Sequence, residues 1–452
     1  MFDVEKVSNI FQKYNVQRIL WYTDYPEKPH WKNPFGLVDL EVGLRDFHAQ
    51  PASLLYVHMP YCHTQCYFCN CKTIISLDYK NVQNYLTFLF KEIEMHVEFC
   101  DRNGLTPNIS EIHLGGGSPT YMTEQDFFML IKNLRLLVDF SKLNEFSIEI
   151  DPRRINPDKM FFYSSMGINR ISFGIQDLDL EVQKAINRIQ PDSLVRRLLT
   201  PEIRSLFPYG VNFDVMGGLP NQTKESFRMT MEKVIDLSPD RVSLLQMSLV
   251  PQYSPHQLLM PLDRVPNNFE MKLLFMDALE LLTANGYVRT SYDHFAKPSD
   301  SVVEARNDNK MKWGYFGPTS GGYEDVLGIG ISSYSRLGSR CYVQNFYELD
   351  NWERAILDNK HPLYRGHTLS DDDVIRRDVI QTLRNYFVIK YADIEERYDI
   401  NFKNYFHTKL DRLIEFAEDG LLEFKPNGLE LTEFGSLFAD FLAGTFDAYH
   451  RN

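Results

Sequence analysis

Six short stretches rich in β-branched, aromatic and aliphatic residues recur between residues 54 and 248, and helix-like segments fill the intervals between them. These stretches are LLYVHM (54–59), ISEIHLGG (109–116), NEFSIEID (144–151), RISFGIQ (170–176), VNFDVMGG (211–218) and RVSLLQMS (241–248). Strands that alternate with helices predict a parallel sheet with right-handed crossovers, either an open doubly wound sheet or a partial barrel. In both architectures ligands bind at the carboxyl ends of the strands.

Chemically distinctive residues follow several of these predicted strands. Four cysteines come after the first strand, and the glycines of GGGSP (115–119) end the second. Glu149 lies in the third strand, and Gln176 ends the fourth. Because the carboxyl ends of parallel strands meet at one edge of a sheet, the sequence predicts a single site at that edge.

The stretch YVHMPYCHTQCYFCNCKT (56–73) contains four of the six cysteines of the chain. Cys62, Cys66 and Cys69 form the spacing C-x3-C-x2-C, and Cys71 adds a fourth thiol. A disulfide, a zinc site and an iron–sulfur cluster are the three possible interpretations. Structural zinc sites usually combine two separated cysteine pairs, and no second pair follows here. Three close thiolates suit three irons of a [4Fe–4S] cluster and leave the fourth iron open for another ligand.

The first residues of the chain indicate its cellular compartment, and its net charge disfavours one class of partner. The first residues, MFDVEKVSNIFQKYN, have no apolar signal-peptide core, and no run approaches the ~20 apolar residues that span a bilayer. The sequence therefore predicts a cytoplasmic protein, in which thiols stay reduced. The net charge is −13 without a basic run, which disfavours a nucleic-acid partner. An anionic substrate would need positive charge concentrated in its site.

The cysteine spacing after a first strand, with Phe68 just before the third cysteine, resembles the signature of radical S-adenosylmethionine (SAM) enzymes. The blocks HLGGGSPTYM, SIEID, FGIQDLDLEVQKAINRIQ and NFDVMGGLPNQTKESF resemble further blocks of that superfamily. More narrowly, the phrases YVHMPYC, SIEIDPR, LGIGISSYSRLG and YVQNFYEL resemble the HemN-type branch, the oxygen-independent coproporphyrinogen III oxidases. The resemblance covers nearly the whole chain from about Tyr14 onward.

The resemblance implies an α/β fold in three parts. An N-terminal extension (1–50) precedes a partial (β/α)6 TIM-like barrel with a substrate-proximal segment (51–360). A mostly helical, winged-helix-like C-terminal domain follows (361–452). The sequence itself supports this last part, because helix-like segments are followed by two short strands around an Asn–Gly turn in LLEFKPNGLELT (421–432). The final segment, EFGSLFADFLAGTFDAYH (433–450), is predicted as one helix.

The resemblance also implies roles for individual residues. Cys62, Cys66 and Cys69 would hold a [4Fe–4S] cluster whose open iron binds SAM, while Cys71 would be a neighbouring thiol. A second SAM would lie beside the first. The implied cofactor-binding residues are Tyr56, Phe68, Gly116, Gly117, Glu149, Gln176, Arg188, Asp214 and Ile329.

The implied reaction uses a small tetrapyrrole as substrate. In the HemN-type branch a 5′-deoxyadenosyl radical takes a hydrogen atom from a propionate β-carbon. Loss of carbon dioxide, and of one electron to an acceptor that the sequence does not identify, then leaves a vinyl group. Two such steps convert coproporphyrinogen III to protoporphyrinogen IX. The resemblance further implies an electron donor such as flavodoxin or ferredoxin, and a monomer.

Three phrases depart from the branch where the substrate is expected. WYTDYP (21–26) has Trp21 and Asp24 in place of an arginine and a serine. KWGYFGPT (312–319) replaces a phrase with Arg, Gln and Tyr, and Gly217 replaces a tyrosine. Arginine pairs carboxylates bidentately, so a substrate with four propionates would need other cations. The candidates are Arg153, Arg154, Arg306, Lys310, Lys312 and Arg336.

Two further functions are consistent with these departures. A HemN-like enzyme can use the same radical and a second SAM on another molecule, by methyl transfer, cyclopropanation or haem ring opening. A haem-binding chaperone can retain the radical fold, although the similarity over the whole length of this chain disfavours that interpretation. The three departing phrases are where these alternatives would be distinguished.

Overall fold

A computed structural model gives the structure of the chain and describes residues 2–14, 16, 24–31 and 34–449. The α-helices are α1 (Val4–Tyr14), α2 (Leu37–His48), α3 (Lys80–Asn103), α4 (Glu124–Leu137), α5 (Pro157–Ser165), α6 (Leu180–Ala185), α7 (Asp192–Leu198), α8 (Pro201–Ser205), α9 (Lys224–Leu237), α10 (Asn268–Ala284), α11 (Ser301–Asn307), α12 (Leu349–Leu357), α13 (Asp371–Tyr386), α14 (Tyr391–Tyr398), α15 (Phe402–Tyr405), α16 (Leu410–Glu418) and α17 (Ala439–Ala443).

The strands alternate with these helices in the first half of the chain and cluster in the second. They are β1 (Leu54–Met59), β2 (Tyr61–Cys62), β3 (Ile74–Ile75), β4 (Glu111–Gly116), β5 (Glu145–Ile150), β6 (Arg170–Gln176), β7 (Val211–Gly217), β8 (Arg241–Gln246), β9 (Val288–Arg289), β10 (His294–Ala296), β11 (Lys312–Gly314), β12 (Gly317–Thr319), β13 (Val326–Ile329), β14 (Tyr334–Leu337), β15 (Cys341–Asn345), β16 (Leu363–Thr368), β17 (Val388–Lys390), β18 (Leu422–Lys425) and β19 (Gly428–Leu431).

The six predicted strands are neighbours in one twelve-stranded sheet. The sheet order is β16-β15-β14-β13-β1-β4-β5-β6-β7-β8-β10-β9, and β13 through β8 in that order pair in parallel. Among the described residues the edge strands β16 and β9 do not pair with each other, so the barrel is open. The side chains that point inward from β1 to β8 line a lumen of about 320 Å³. The prediction of a partial (β/α)6 barrel is confirmed.

Two additions widen the sheet beyond the six strands. On one side β13 pairs with β1, with Val57 opposite Ile329, and β14 to β16 continue the sheet in antiparallel fashion. On the other side β10 and β9 follow β8. The hairpin of β11 and β12 stays outside the main sheet and lies against the lumen.

The C-terminal region contains the predicted helix-like segments and hairpin, with one difference in its last segment. Helix α13 ends at Tyr386, because Phe387 adopts a left-handed backbone (φ 64°) and β17 then pairs with β19. The last segment is not one helix but α17 between 3-10 turns. Gly435 explains part of this break, since it packs directly against the backbone of Leu421. The three short strands and their helices form the predicted winged-helix-like arrangement.

The two cysteines outside the cysteine loop, Cys100 and Cys341, are buried and form no disulfide. No helix within the described ranges has the length and apolar character that crossing a membrane requires. The boundaries between the three predicted parts of the chain, at residues 50/51 and 360/361, stay a prediction.

Candidate active site

The cysteine loop begins at the carboxyl end of β2 and is held by residues from distant parts of the chain. Cys66 and Phe68 are buried in a small apolar cluster with Val182, Ile186, Leu219, Met247 and Met260. The ring of His256 donates to the Cys69 carbonyl (2.6 Å), and the side chain of Gln257 donates to the Phe68 carbonyl (3.1 Å). The backbone of the loop is therefore fixed by contacts that do not involve the thiols.

Two guanidinium groups converge on the sulfur of Cys66. Arg188 Nη1 lies 3.6 Å and Arg153 Nη2 lies 3.7 Å from Cys66 Sγ. Asp151 holds both arginines, at 2.7 Å from Arg153 and 3.8 Å from Arg188. Burial alone would raise the pKa of Asp151, but Arg188 and Arg153 lower it to about 2. This pair of cations offsets the negative charge that clustered thiolates carry.

The other three thiols of the loop differ in environment. A hydrogen bond with Cys71 lowers the pKa of Cys69, and the same bond raises the pKa of Cys71. Burial raises the pKa of Cys62, and coordination to a metal would deprotonate such a thiol. Cys71 is exposed, and its role as a neighbouring thiol stays a prediction. Within residues 2–14, 16, 24–31 and 34–449, no three His, Cys, Asp or Glu side chains converge closely enough to hold a single metal ion.

The glycines that end β4 bring its backbone against the start of the cysteine loop. Gly117 N donates to the Met59 carbonyl at 2.7 Å, and a Cβ at Gly117 would lie 2.6 Å from the Pro60 carbonyl oxygen. Gly116 has φ 107°, and a Cβ there would lie 2.5 Å from the ring of His58. Only glycine permits this approach, which leaves an open cradle at the strand ends.

His58 joins β1 to the far end of the cysteine loop. Its Nε2 donates to the Lys72 carbonyl (2.9 Å), and its Nδ1 accepts from the hydroxyl of Tyr56 (2.9 Å). Burial lowers the pKa of His58, which keeps the ring neutral for this pair of bonds. We did not predict His58 from the sequence. The available signal was a polar residue inside an otherwise apolar strand, two residues after Tyr56.

Two predicted acidic residues face the lumen from neighbouring strands. Glu149 accepts a hydrogen bond from Gly116 N (3.1 Å), and its other oxygen lies 3.2 Å from His113 Nε2. Its side chain is 38% exposed, so it keeps accepting capacity for a ligand. Asp214 is bound by Asn212 (2.8 Å), and burial raises the pKa of its carboxyl.

Gln176 and Arg188 present polar atoms that are buried and unsatisfied. Gln176 adopts a left-handed backbone (φ 64°), which is uncommon for a residue other than glycine. Within the described part of the chain, Gln176 Oε1 and Arg188 Nε have no hydrogen-bond partner. Both side chains approach Gly174, at 2.9 and 3.2 Å from a Cβ placed there. Because buried polar groups are nearly always paired, this acceptor and donor fit a polar ligand.

Tyr56 and Ile329 lie on adjacent strands but face different surroundings. Tyr56 stacks on His113 (5.9 Å between centroids) and on Phe316 (4.3 Å). The side chain of Ile329 belongs to the main hydrophobic core, so only its backbone is available to a ligand. Phe316 comes from the hairpin between β11 and β12 and belongs to the phrase KWGYFGPT, which was expected near the substrate, but its contact with Tyr56 was not predicted.

The candidate substrate cations are dispersed. Arg153 is committed to Asp151 and Cys66, and Arg154 is exposed and bonds Thr64 (3.3 Å). Neither reaches the lumen side of the site.

Of the four remaining candidate cations, two have separate partners of their own and two share one partner. Arg306 packs over the ring of Tyr386 (5.0 Å), and Lys310 is an exposed partner of Asp308. Lys312 and Arg336 instead come together beside the hairpin of β11 and β12, where both pair with a single carboxylate. Trp21, the residue in place of the branch arginine, lies outside the described residues.

Comparisons with known proteins extend the picture to the whole chain. The sequence matches the Radical SAM superfamily over residues 56–234 and the HemN C-terminal domain over residues 369–438. It is 34% identical to the oxygen-independent coproporphyrinogen III oxidase of Escherichia coli (strain K12), over 98% of this chain and 95% of that protein. The enzyme of the same name from Synechocystis is also 34% identical, over 99% and 96%.

A solved structure is similar over nearly the same extent. The coproporphyrinogen III oxidase (HemN) of Escherichia coli, described as a radical SAM enzyme, aligns with a TM-score of 0.88 at 33% identity. The alignment covers 95% of this chain and 98% of that one. The barrel, its added strands and the C-terminal region are therefore shared as one architecture.

Proposed function

The chain belongs to the family of the oxygen-independent coproporphyrinogen III oxidases, within the radical SAM superfamily, and we propose that it catalyses the reaction of its relatives. That reaction is the oxidative decarboxylation of two propionates of coproporphyrinogen III, which gives protoporphyrinogen IX. The observation that carries the proposal lies at the carboxyl ends of the strands, which we call the cofactor edge. The cysteine loop, the glycines that end β4 and the unsatisfied atoms of Gln176 and Arg188 come together there, with Arg188 beside the sulfur of Cys66 and Gly117 bonded to Met59.

In this proposal Cys62, Cys66 and Cys69 hold a [4Fe–4S] cluster. The other predicted cofactor residues surround SAM and a second SAM, and they are Tyr56, Phe68, Gly116, Gly117, Glu149, Gln176, Arg188, Asp214 and Ile329. When bound, these groups supply the one-electron chemistry that removes a hydrogen atom from an unactivated carbon. The fit rests on the cradle and on the buried, unpaired atoms of Gln176 and Arg188.

The chain itself positions the substrate. Phe316 covers Tyr56 and His113 from the hairpin side, so the three rings form an aromatic wall that suits pyrrole rings. Glu149, anchored by Gly116 N, is oriented to accept hydrogen bonds from a ligand hydroxyl. Contact of the substrate with this wall supplies binding energy that orients the propionate towards the cofactor.

The test is an anaerobic incubation of the reconstituted holoenzyme with coproporphyrinogen III, SAM and a reductant. We expect protoporphyrinogen IX, measured as protoporphyrin fluorescence after oxidation of the extract. Formation of 5′-deoxyadenosine without a vinyl product would overturn this substrate assignment. Methylated, cyclopropanated or ring-opened products from another acceptor would then identify the alternative chemistry.

We also propose that a small electron-transfer protein, such as flavodoxin or ferredoxin, reduces the site, and that the chain acts as a cytoplasmic monomer. The exposed Cys71 supports the first point, because it places one side of the cysteine loop at the surface. An electron donor can therefore approach this side of the loop from solvent.

Arg153→Met should lower the reduction potential of the cluster. Hydrogen bonds and positive charge at a cluster sulfur stabilise the reduced form, and Arg153 directs both at Cys66. A redox titration of the reconstituted protein, followed by electron paramagnetic resonance, measures the midpoint. Arg154→Met is the matched control, because the neighbouring exposed arginine bonds Thr64 instead. Equal midpoints in both variants would show that Arg153 does not act on the cluster.

A further inference from the structure

A second cavity, of about 330 Å³, lies between the hairpin of β11 and β12 and the helices α13 and α14. Its exposed rim carries Lys390 and Asp393, whose opposite charges offset each other. Trp313 lines both this cavity and the lumen, so the two spaces share one wall. The inner wall includes Lys312, Trp313, Glu324, Arg336, Arg377 and Tyr386.

Three cations in this wall surround one carboxylate. Glu324 pairs with Arg336, with Lys312 (3.4 Å) and with Arg377 (3.7 Å). Burial alone would raise the pKa of Glu324, but Arg336, Arg377 and Lys312 lower it to about 2. Arg336 and Arg377 are each 5% exposed. Positive charge is therefore in excess at a buried place, where an uncompensated charge is costly.

The other acidic groups near this cluster have partners of their own. Asp378 pairs with Arg397. Asp24 accepts a hydrogen bond from the hydroxyl of Tyr334 (2.6 Å), and burial raises the pKa of its carboxyl. Asp325 accepts from two backbone N–H groups in the turn after β14. Glu324 thus remains the carboxylate that contacts all three cations.

Two buried N–H donors in the same wall are unused. Arg336 Nε and Trp313 Nε1 have no hydrogen-bond partner among the residues the structure describes. Trp313 is 6% exposed and is held in place by stacking over the guanidinium of Arg384 (4.5 Å). Buried N–H groups are seldom left unpaired, and a planar guanidinium matches the geometry of a carboxylate.

We propose that this cavity is a carboxylate subsite and that, on the basis of the proposed function, it binds a propionate of the tetrapyrrole. Two of the four propionates of that substrate do not react, so their charges must be neutralised away from the cofactor edge. The cavity adjoins the lumen through Trp313 and offers excess positive charge with two free donors. It also supplies cations in a chain that has Trp21 in place of the branch arginine.

The first test measures binding rather than turnover. Coproporphyrin III, the oxidised and unreactive form of the substrate, is titrated into the reconstituted holoenzyme and followed by its own fluorescence. We expect Arg336→Met to raise the Kd for coproporphyrin III about tenfold or more, because the variant loses one charge-assisted hydrogen-bonded pair. Lys310→Met is the matched control, because this cation lies outside the cavity, and its Kd should equal that of the wild type. An unchanged Kd in Arg336→Met would overturn the proposal.

A variant that preserves folding removes only the donor. Trp313→Phe keeps an aromatic ring beside Arg384 and deletes the unpaired Nε1–H. We expect its unfolding midpoint to match that of the wild type, while Kd for coproporphyrin III rises severalfold. A Kd equal to that of the wild type in this stable variant would contradict the subsite even if Arg336→Met fails to fold.

Two further arms identify the source of the carboxylate and separate this proposal from the proposed function. Coproporphyrin tetramethyl ester should bind the wild type and Arg336→Met equally, because it has no charge to place in the cavity. Binding of succinate that depends on Arg336, together with porphyrin binding that does not, would assign the cavity to a free carboxylate and overturn the propionate assignment. Failure of the proposed function would be seen in the anaerobic activity test instead: the wild type would bind the porphyrin but form no vinyl product.

Discussion

Cys66→Ser is expected to abolish the formation of 5′-deoxyadenosine from SAM while the chain stays folded. Cys66 is the predicted cluster ligand that both Arg153 and Arg188 approach, so its loss removes a ligand and leaves two cations facing a hydroxyl. We expect a decrease of more than about 100-fold, since changes beyond the ligands alone already cost 10–100-fold. Chromatography of the reduced, anaerobic reaction measures the product, and far-UV circular dichroism checks the fold.

Cys71→Ser is the control that tests which thiols act as ligands. Cys71 lies two residues after Cys69, is exposed, and shares a hydrogen bond with that thiol. We expect this variant to keep most of the 5′-deoxyadenosine formation. Retained product in Cys66→Ser would contradict the cluster assignment. An equally complete loss in Cys71→Ser would mean that the fourth cysteine is a ligand in place of one of the three.

The alternation of strands and helices was sufficient to predict the barrel but not the strands that extend its sheet on either side. Each strand from β1 to β8 is a short apolar run followed by a helical interval, which the sequence displays locally. The neighbour of β1 on the other side, β13, lies about 270 residues further along the chain and is only Val326–Ile329. It includes Gly328, which lies too close to the backbone of Tyr334 for a side chain, and this contact exists only in the folded chain. Such pairing leaves no periodic signal in so short a stretch.

The candidate site shows the same division between local and distant information. The cysteine spacing, Glu149 and Gln176 were predictable because each lies at the end of a strand in a recognisable block. The contact of Phe316 with Tyr56 and the position of Arg377 were not, since a hairpin and a C-terminal helix bring these residues to the lumen wall and the second cavity. Their positions depend on how the last third of the chain packs, which no local pattern encodes.

Arg384→Met should destabilise the chain strongly, because this arginine joins the C-terminal region to the barrel. It is 2% exposed and pairs with Asp440 (2.6 Å) and with Asp293 (3.0 Å). Removing one partner of a buried ion pair leaves uncompensated charge and costs about 3–5 kcal/mol. Denaturant unfolding at pH 8 measures the loss. Arg340→Met is the matched control, since its pair with Asp371 is exposed and contributes about 0–1 kcal/mol.

The pH dependence of this loss separates charge from packing. In the wild type Arg384 helps to hold the pKa of Asp293 below its usual range, so that stability is present above the unfolded pKa and is lost on acidification. Burial raises the pKa of Asp440 to about 6 despite Arg384. Without Arg384 the pKa values of Asp293 and Asp440 in the folded state rise. The folded variant then loses stability as the pH rises through these values, because both carboxyls become charged without their cation. We therefore expect a smaller difference between variant and wild type at pH 5 than at pH 8. Equal differences would mean that lost packing around Trp313, rather than unpaired charge, dominates.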